Sequence, residues 1–123
     1  MLPDEKEKLL LLFDREARWC RDAEARDAQG EAVHFNSGEA VAWDLVGALC
    51  SLFGWARATE LFGQVSRHVL GRHRSTRRLE TAISAMAALV DFNDDPGTDF
   101  ALIMTRLQEL PVATRRGSPL EPT

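Results

Sequence analysis

The stretch Val41-Ala42-Trp43-Asp44-Leu45-Val46-Gly47-Ala48-Leu49-Cys50-Ser51-Leu52-Phe53-Gly54 decides how this chain is read. Val41, Leu45, Ala48, Leu49 and Leu52 recur at helical spacing, and Val46, Cys50 and Phe53 widen the stripe around most of the circumference. A helix apolar on so many sides belongs in the middle of a domain. Leu45 and Leu49 are therefore expected among the most buried residues. Just upstream, Asn36-Ser37-Gly38-Glu39 has the order of a capping box, with Asn36 as the cap and Glu39 reaching back. Gly54 ends this second helix.

Working outward, Pro3 and Asp4 open a first helix whose stripe reads Leu9, Leu12, Phe13, Glu16, Trp19 and Cys20. The period is lost from Asp22 to Phe35, where Asp27-Ala28-Gln29-Gly30 reads as a turn with glycine in the left-handed position. A third helix runs from about Trp55 to Leu70 and stops at Gly71. A fourth, started by Ser75 or Thr76, buries Leu79, Ile83, Met86 and Val90, with Ala82, Ala85, Ala87 and Ala88 allowing close approach of a neighbour. Asp95 and Pro96 start a fifth, carrying Phe100, Ile103, Leu107 and Leu110. No segment sustains period-two alternation. The expected fold class is all-α, a compact orthogonal or bundle-like arrangement of about five helices; a short hairpin near residues 24–34 is the one departure allowed. Residues 1–111 form a single helical domain, and 112–123 a flexible C-terminal tail.

At 123 residues, 45% hydrophobic and 28% charged, the chain is one globular domain and neither disordered nor collagen-like. Its unbroken apolar runs are short, and its first residues are acidic where a secretory signal is basic and then apolar. A cytoplasmic location and no membrane partner are the expectations. Cys20 and Cys50 are far apart and in no Cys-x-x-Cys pair, which disfavours a disulfide scaffold or zinc ribbon.

The net charge of −4 hides an uneven map. From Gln64 to Arg78 there are five arginines, Arg67, Arg72, Arg74, Arg77 and Arg78, and no acid. Acids gather instead at Asp22–Glu31 and Asp91–Asp99. Arg72, Arg74, Arg77 and Arg78 are the candidate binding residues, because like charges without internal acids are relieved by an anionic partner. An acidic protein surface or self-association fits the negative total; nucleic acid fits it less well.

A second candidate is a cleft formed by Trp19, Cys20, Trp43, Asn93 and Asp94, with an aromatic wall and carboxylates. The competing reading makes each tryptophan a core residue that hands its indole N–H to a nearby carbonyl. Asp91-Phe92-Asn93-Asp94-Asp95 begins like a calcium loop but puts Pro96 and Leu102 where glycine and glutamate are required. His68 and His73 are split by Gly71 and lack ligand spacing, so no metal is expected. A Cys20–His34 nucleophile pair requires only proximity in space, yet a cysteine beside tryptophan on an apolar stripe is ordinarily core. No nucleophile elbow or phosphate loop is present, and Arg67, Arg72, Arg77 and Glu80 occupy positions a helix-turn-helix needs apolar. No catalytic residue and no cofactor are assigned.

Three pieces carry a resemblance: Trp19-Cys20 with Ala25-Arg26-Asp27-Ala28-Gln29-Gly30; Ala42-Trp43-Asp44-Leu45-Val46-Gly47-Ala48-Leu49; and Phe92-Asn93-Asp94-Asp95-Pro96-Gly97. In this order they resemble a small bacterial and phage family of uncharacterised domains. In that pattern cysteine follows the tryptophan at Trp43 and tryptophan precedes Asn93; here Asp44 and Phe92 stand there, which weakens the case for a paired-thiol site. The resemblance implies a small bacterial protein and no known activity. The leading reading is a non-enzymatic protein-interaction module. Nucleic-acid association through Arg67–Arg78, and a small-molecule or enzymatic site near Trp43 and Asp94, are the alternatives.

Overall fold

The computed structural model describes residues 1–71 and 81–113. In chain order these form α1 (Pro3–Leu12), a single 3-10 turn (Glu16–Arg18), β1 (Ala25–Arg26), β2 (Ala42–Trp43), α2 (Leu45–Leu70), α3 (Ala82–Asp94) and α4 (Phe100–Gln108). The described chain is mostly helical, with four helices and a two-stranded antiparallel sheet that pairs Ala25 with Trp43 and Arg26 with Ala42. The small sheet corrects the expected all-α class to a mostly helical one.

Gly54 divides α2. Inside Leu45–Leu70 Gly54 takes the non-helical φ 82° and ψ 161°, so two helical stretches meet there at a kink, and the expected end of the second helix at Gly54 holds. Glycine has no Cβ to clash there, so the axis bends and helical bonding resumes beyond it. This element is long and apolar enough, by length and composition, to cross a membrane. Its apolar side faces the interior: Leu45, Ala48, Leu49, Ala58, Leu61, Phe62, Val65 and Val69 are buried with Leu9 and Phe13 of the first segment and Ile103 and Leu107 of α4. The expected burial of Leu45 and Leu49 holds.

The expected capping box at Asn36 to Glu39 starts no helix. Ser37 Oγ accepts the Glu39 N–H, the His34 carbonyl accepts the Ser37 N–H, and the segment turns into strand β2. The true cap is Asp44, whose Oδ1 accepts the Gly47 N–H at 2.6 Å. Val41, Ala42 and Trp43 precede it as extended chain: Val41 N–H donates to the Arg26 carbonyl and Asp44 N–H to that of Glu24. β-branched and aromatic residues suit that pairing better than a helical first turn.

Three further boundaries move. The stripe from Leu9 to Cys20 is not one helix, because α1 closes at Phe13 and Trp19 instead bridges to Trp43, with the Cys20 N–H donating to the Trp43 carbonyl. α4 starts at Asp99, which accepts the Leu102 N–H; Asp95 and Pro96 form a turn in which the Asp95 side chain accepts the Gly97 N–H. In α3, capped by Thr81, the buried face is Ala85, Ala88, Leu89 and Asn93, while Ile83 is 62% exposed. The small side chains of that face let α2 come close enough for Ser66 Oγ to donate to the Ala85 carbonyl at 2.7 Å. The proposed start of this helix at Ser75 or Thr76, and Leu79, lie outside the described residues.

The polar segment folds partly as allowed. Gly30 adopts φ 83° in a turn closed by the Gly30 N–H on the Asp27 carbonyl, and an isolated bridge joins Arg26 to Ala32. The ladder itself, however, pairs β1 with β2. Two polar clamps tie α1 down: Arg57 donates to both Glu5 carboxylate oxygens at 2.7 and 2.8 Å, and Lys6 Nζ donates to the Gln108 and Leu110 carbonyls ending α4. The Ala113 N–H donates to the Met1 carbonyl, and the tail beyond it lies outside the described residues.

Candidate functional site

Where the 3-10 turn leaves α1, where β2 runs into α2 and where α3 ends, one side chain joins all three. Asn93 is fully buried. Its Oδ1 accepts the Trp19 indole N–H at 2.8 Å and the Leu45 backbone N–H at 3.1 Å. Its Nδ2 donates to the Cys20 carbonyl and to Asp94 Oδ1, each at 3.0 Å. The amide is thus satisfied at both ends, and its bond to Leu45 supplies one of the unpaired N–H groups at the start of α2.

Asp94 completes the junction by accepting the Asp22 N–H at 3.0 Å. Asp22 sits at φ 64°, a left-handed conformation that aspartate tolerates better than most residues. Arg21 stacks on Trp19, 4.7 Å from its ring centroid, and donates to the Thr98 carbonyl. Trp43 is buried, and its indole N–H donates to the Phe35 carbonyl at 3.1 Å. All five expected cleft residues, Trp19, Cys20, Trp43, Asn93 and Asp94, therefore meet in one place. Their polar groups bond to one another and to backbone, as in the core reading of the tryptophans. Trp55 departs from that reading, with its ring 52% exposed and its edge toward Phe62.

Electrostatics set the chemistry of this junction. Burial pushes the Asp44 carboxyl up to about 7, reinforced by the charges of Asp94 and Glu24. Burial also pushes the Cys20 thiol up to about 12, with the Asp44 charge adding to the effect, and Sγ donates to the Ala23 carbonyl. A thiol held protonated so far above neutral pH is no nucleophile. His34 lies over Phe35 with its Nδ1 accepting the Asn36 N–H and its Nε2 4.0 Å from Glu24. Among the described residues no group of three or more His, Cys, Asp or Glu could hold a metal.

Residues 8–110 match the family of unknown function DUF6197. The chain belongs to this family. No curated protein and no solved structure matches it. The DUF6197 match spans every element that builds the Asn93 junction, and all three stretches that carried the resemblance converge on it.

Other surfaces adjoin the junction or lie apart from it. A groove of about 440 Å³ opens between α2, α3 and α4, with Val69, Phe92 and Leu102 on its walls and Asp95 and Arg106 at its edge. Two shallow hollows share Arg18: one lined by Lys8, Leu11, Leu12, Arg18 and Leu52, the other by Arg15, Ala17, Arg18 and Val41. Of the candidate binding arginines, Arg72, Arg74, Arg77 and Arg78 lie outside the described residues; Arg67 is exposed on α2.

Two features were missed in the sequence. The Asp44 cap has the ordinary signal, an aspartate directly before an apolar run, but Asn36 offered a competing one. The exposure of Leu11 had its signal in the helical period, because Leu11 lies off the stripe of Leu9, Leu12 and Phe13.

Proposed function

We propose that this domain is a non-enzymatic protein-interaction module working in the bacterial cytoplasm. The observation that supports it is large apolar surface left in water: Leu11 is 66% and Trp55 52% exposed on the α1 and α2 elements. Tryptophan is enriched among the residues that carry binding energy at protein interfaces. The junction around Asn93 supplies the rigid frame, and its buried thiol and satisfied amide leave it with a structural role. In this reading the partner surface is acidic, and Arg72, Arg74, Arg77 and Arg78 add to its recognition. The test is a photo-crosslinking residue placed singly at Leu11, Trp55 and the exposed turn residue Gln29 in the native cell. Discrete protein adducts at the first two positions and none at Gln29 are expected. No adduct at any position, or the same adducts at all three, overturns the reading.

A further inference from the structure

The two hollows that meet at Arg18 carry the charge pattern of a specific partner. Leu11, Leu12 and Leu52 line one and Ala17 and Val41 the other, and Val41, like Leu11, is exposed. The charged side chains lining them are Lys8, Arg15 and Arg18, all cationic, in a chain of net charge −4. Arg18 makes only a long 3.9 Å pair with the exposed Asp14, and Lys8 and Arg15 make no ion pair among the described residues. Three cations around an aliphatic surface, with no acid lining it, set an electrostatic preference for an anionic ligand with an apolar face.

We propose that this surface is a docking site for an acidic amphipathic segment of another protein, aliphatic side chains seated on Leu11, Leu12, Leu52 and Val41 and carboxylates on Lys8, Arg15 and Arg18. The proposal rests on the protein-interaction reading and names the partner's chemistry. Two other occupants fit less well. A uniformly anionic membrane would also meet Asp4, Glu7, Asp14 and Glu16, which are exposed on α1 and the turn beyond it, whereas a peptide places its acids on the three cations alone. A second copy of the chain would have to offer its own acidic stretches. There the carboxylates of Asp27, Asp94, Asp95 and Asp99 are already engaged with backbone N–H groups in turns and caps.

The test titrates the full-length ¹⁵N-labelled chain with two helical peptides sharing one leucine stripe, flanked by glutamates in one and lysines in the other. The glutamate peptide is expected to shift the amides of Leu11, Leu12, Ala17, Val41 and Leu52 and to bind at least about tenfold tighter than the lysine peptide at low salt. That advantage shrinks as salt rises. The triple variant Lys8→Glu/Arg15→Glu/Arg18→Glu, checked for an unchanged melting temperature, is expected to reverse the preference. A variant that melts early is replaced by Lys8→Gln/Arg15→Gln/Arg18→Gln, which must abolish the preference. Equal binding of both peptides, shifts confined to another face, or no binding overturns the proposal. So does tighter binding to vesicles of phosphatidylglycerol than to the glutamate peptide, or concentration-dependent self-association that perturbs the same amides. If crosslinks form at Leu11 and Trp55 while the peptides are not distinguished, the partner chemistry is wrong and the interaction reading stands. If no crosslink forms either, both fall.

Discussion

Asn93 Oδ1 accepts the Trp19 indole N–H at 2.8 Å across 74 residues of sequence, and the same oxygen accepts the first N–H of α2 from Leu45. One buried amide thereby fixes the end of α3, the start of α2 and the turn after α1. Replacing it with alanine strands the Trp19 and Leu45 donors and the Cys20 carbonyl. At roughly 1–3 kcal/mol for each buried group left unpaired, Asn93→Ala should cost about 3 kcal/mol or more in urea unfolding. A loss under about 1 kcal/mol would show that water replaces the amide.

Gly47 lies where α2 passes the strand region, and a Cβ there would overlap the Glu24 backbone carbonyl. The clash is with backbone, so it is not relieved by a side-chain rotation. Gly47→Ala should lower stability by about 3 kcal/mol, at the upper end of overpacking costs. Gly38→Ala, with open space around the added carbon, should be near neutral in the same melts.

Two buried acids pull stability in opposite directions with pH. Asp44 is raised from 3.8 to about 7, so between those values the unfolded chain releases a proton that the folded chain keeps. Its contribution is full below about pH 4 and is lost as pH rises through 7. Glu5, held down to about 2 by the Arg57 guanidinium, contributes above pH 4.5 and loses that contribution as pH falls through 2. Asp44→Asn keeps an acceptor for the Gly47 N–H and should flatten the decline in melting temperature between pH 4 and 7. An unchanged slope would place the titration elsewhere.

Burial pushes the Cys20 and Cys50 thiols up to about 12 and 11. In the native state neither should react with a thiol-specific disulfide reagent at pH 8, and both should react on unfolding in urea. Stoichiometric labelling of the native protein would contradict the burial of both.

Local periodicity made the central helix and its most buried leucines legible, because Leu45 and Leu49 sit on a stripe that no other arrangement hides. The meeting of Trp19, Cys20, Trp43, Asn93 and Asp94 was legible as proximity, and the satisfied indole N–H groups of Trp19 and Trp43 follow the core reading that the residues favoured over an open cleft. What escaped was long-range. Asn36 and Asp44 are equally good caps in isolation, and only the pairing of Val41 and Trp43 with the Glu24–Arg26 segment decides between them. Ile83 looks buried by spacing, yet α3 turns its alanines to α2 because close approach lets Ser66 bond to it. Leu11 falls off the Leu9–Leu12–Phe13 stripe of α1 and is 66% exposed, while Leu9 on the stripe is buried.

In the proposed function the exposed Leu11 and Trp55 hold a partner while the Asn93 junction holds the fold. Size-exclusion of native cell extract tests it most directly, comparing the wild-type chain with Leu11→Ser/Trp55→Ser. The wild type is expected to elute in an assembly larger than the free chain, and the double variant, with melting temperature preserved, as the free chain. A wild type that elutes alone, or an assembly that survives both substitutions, would contradict it.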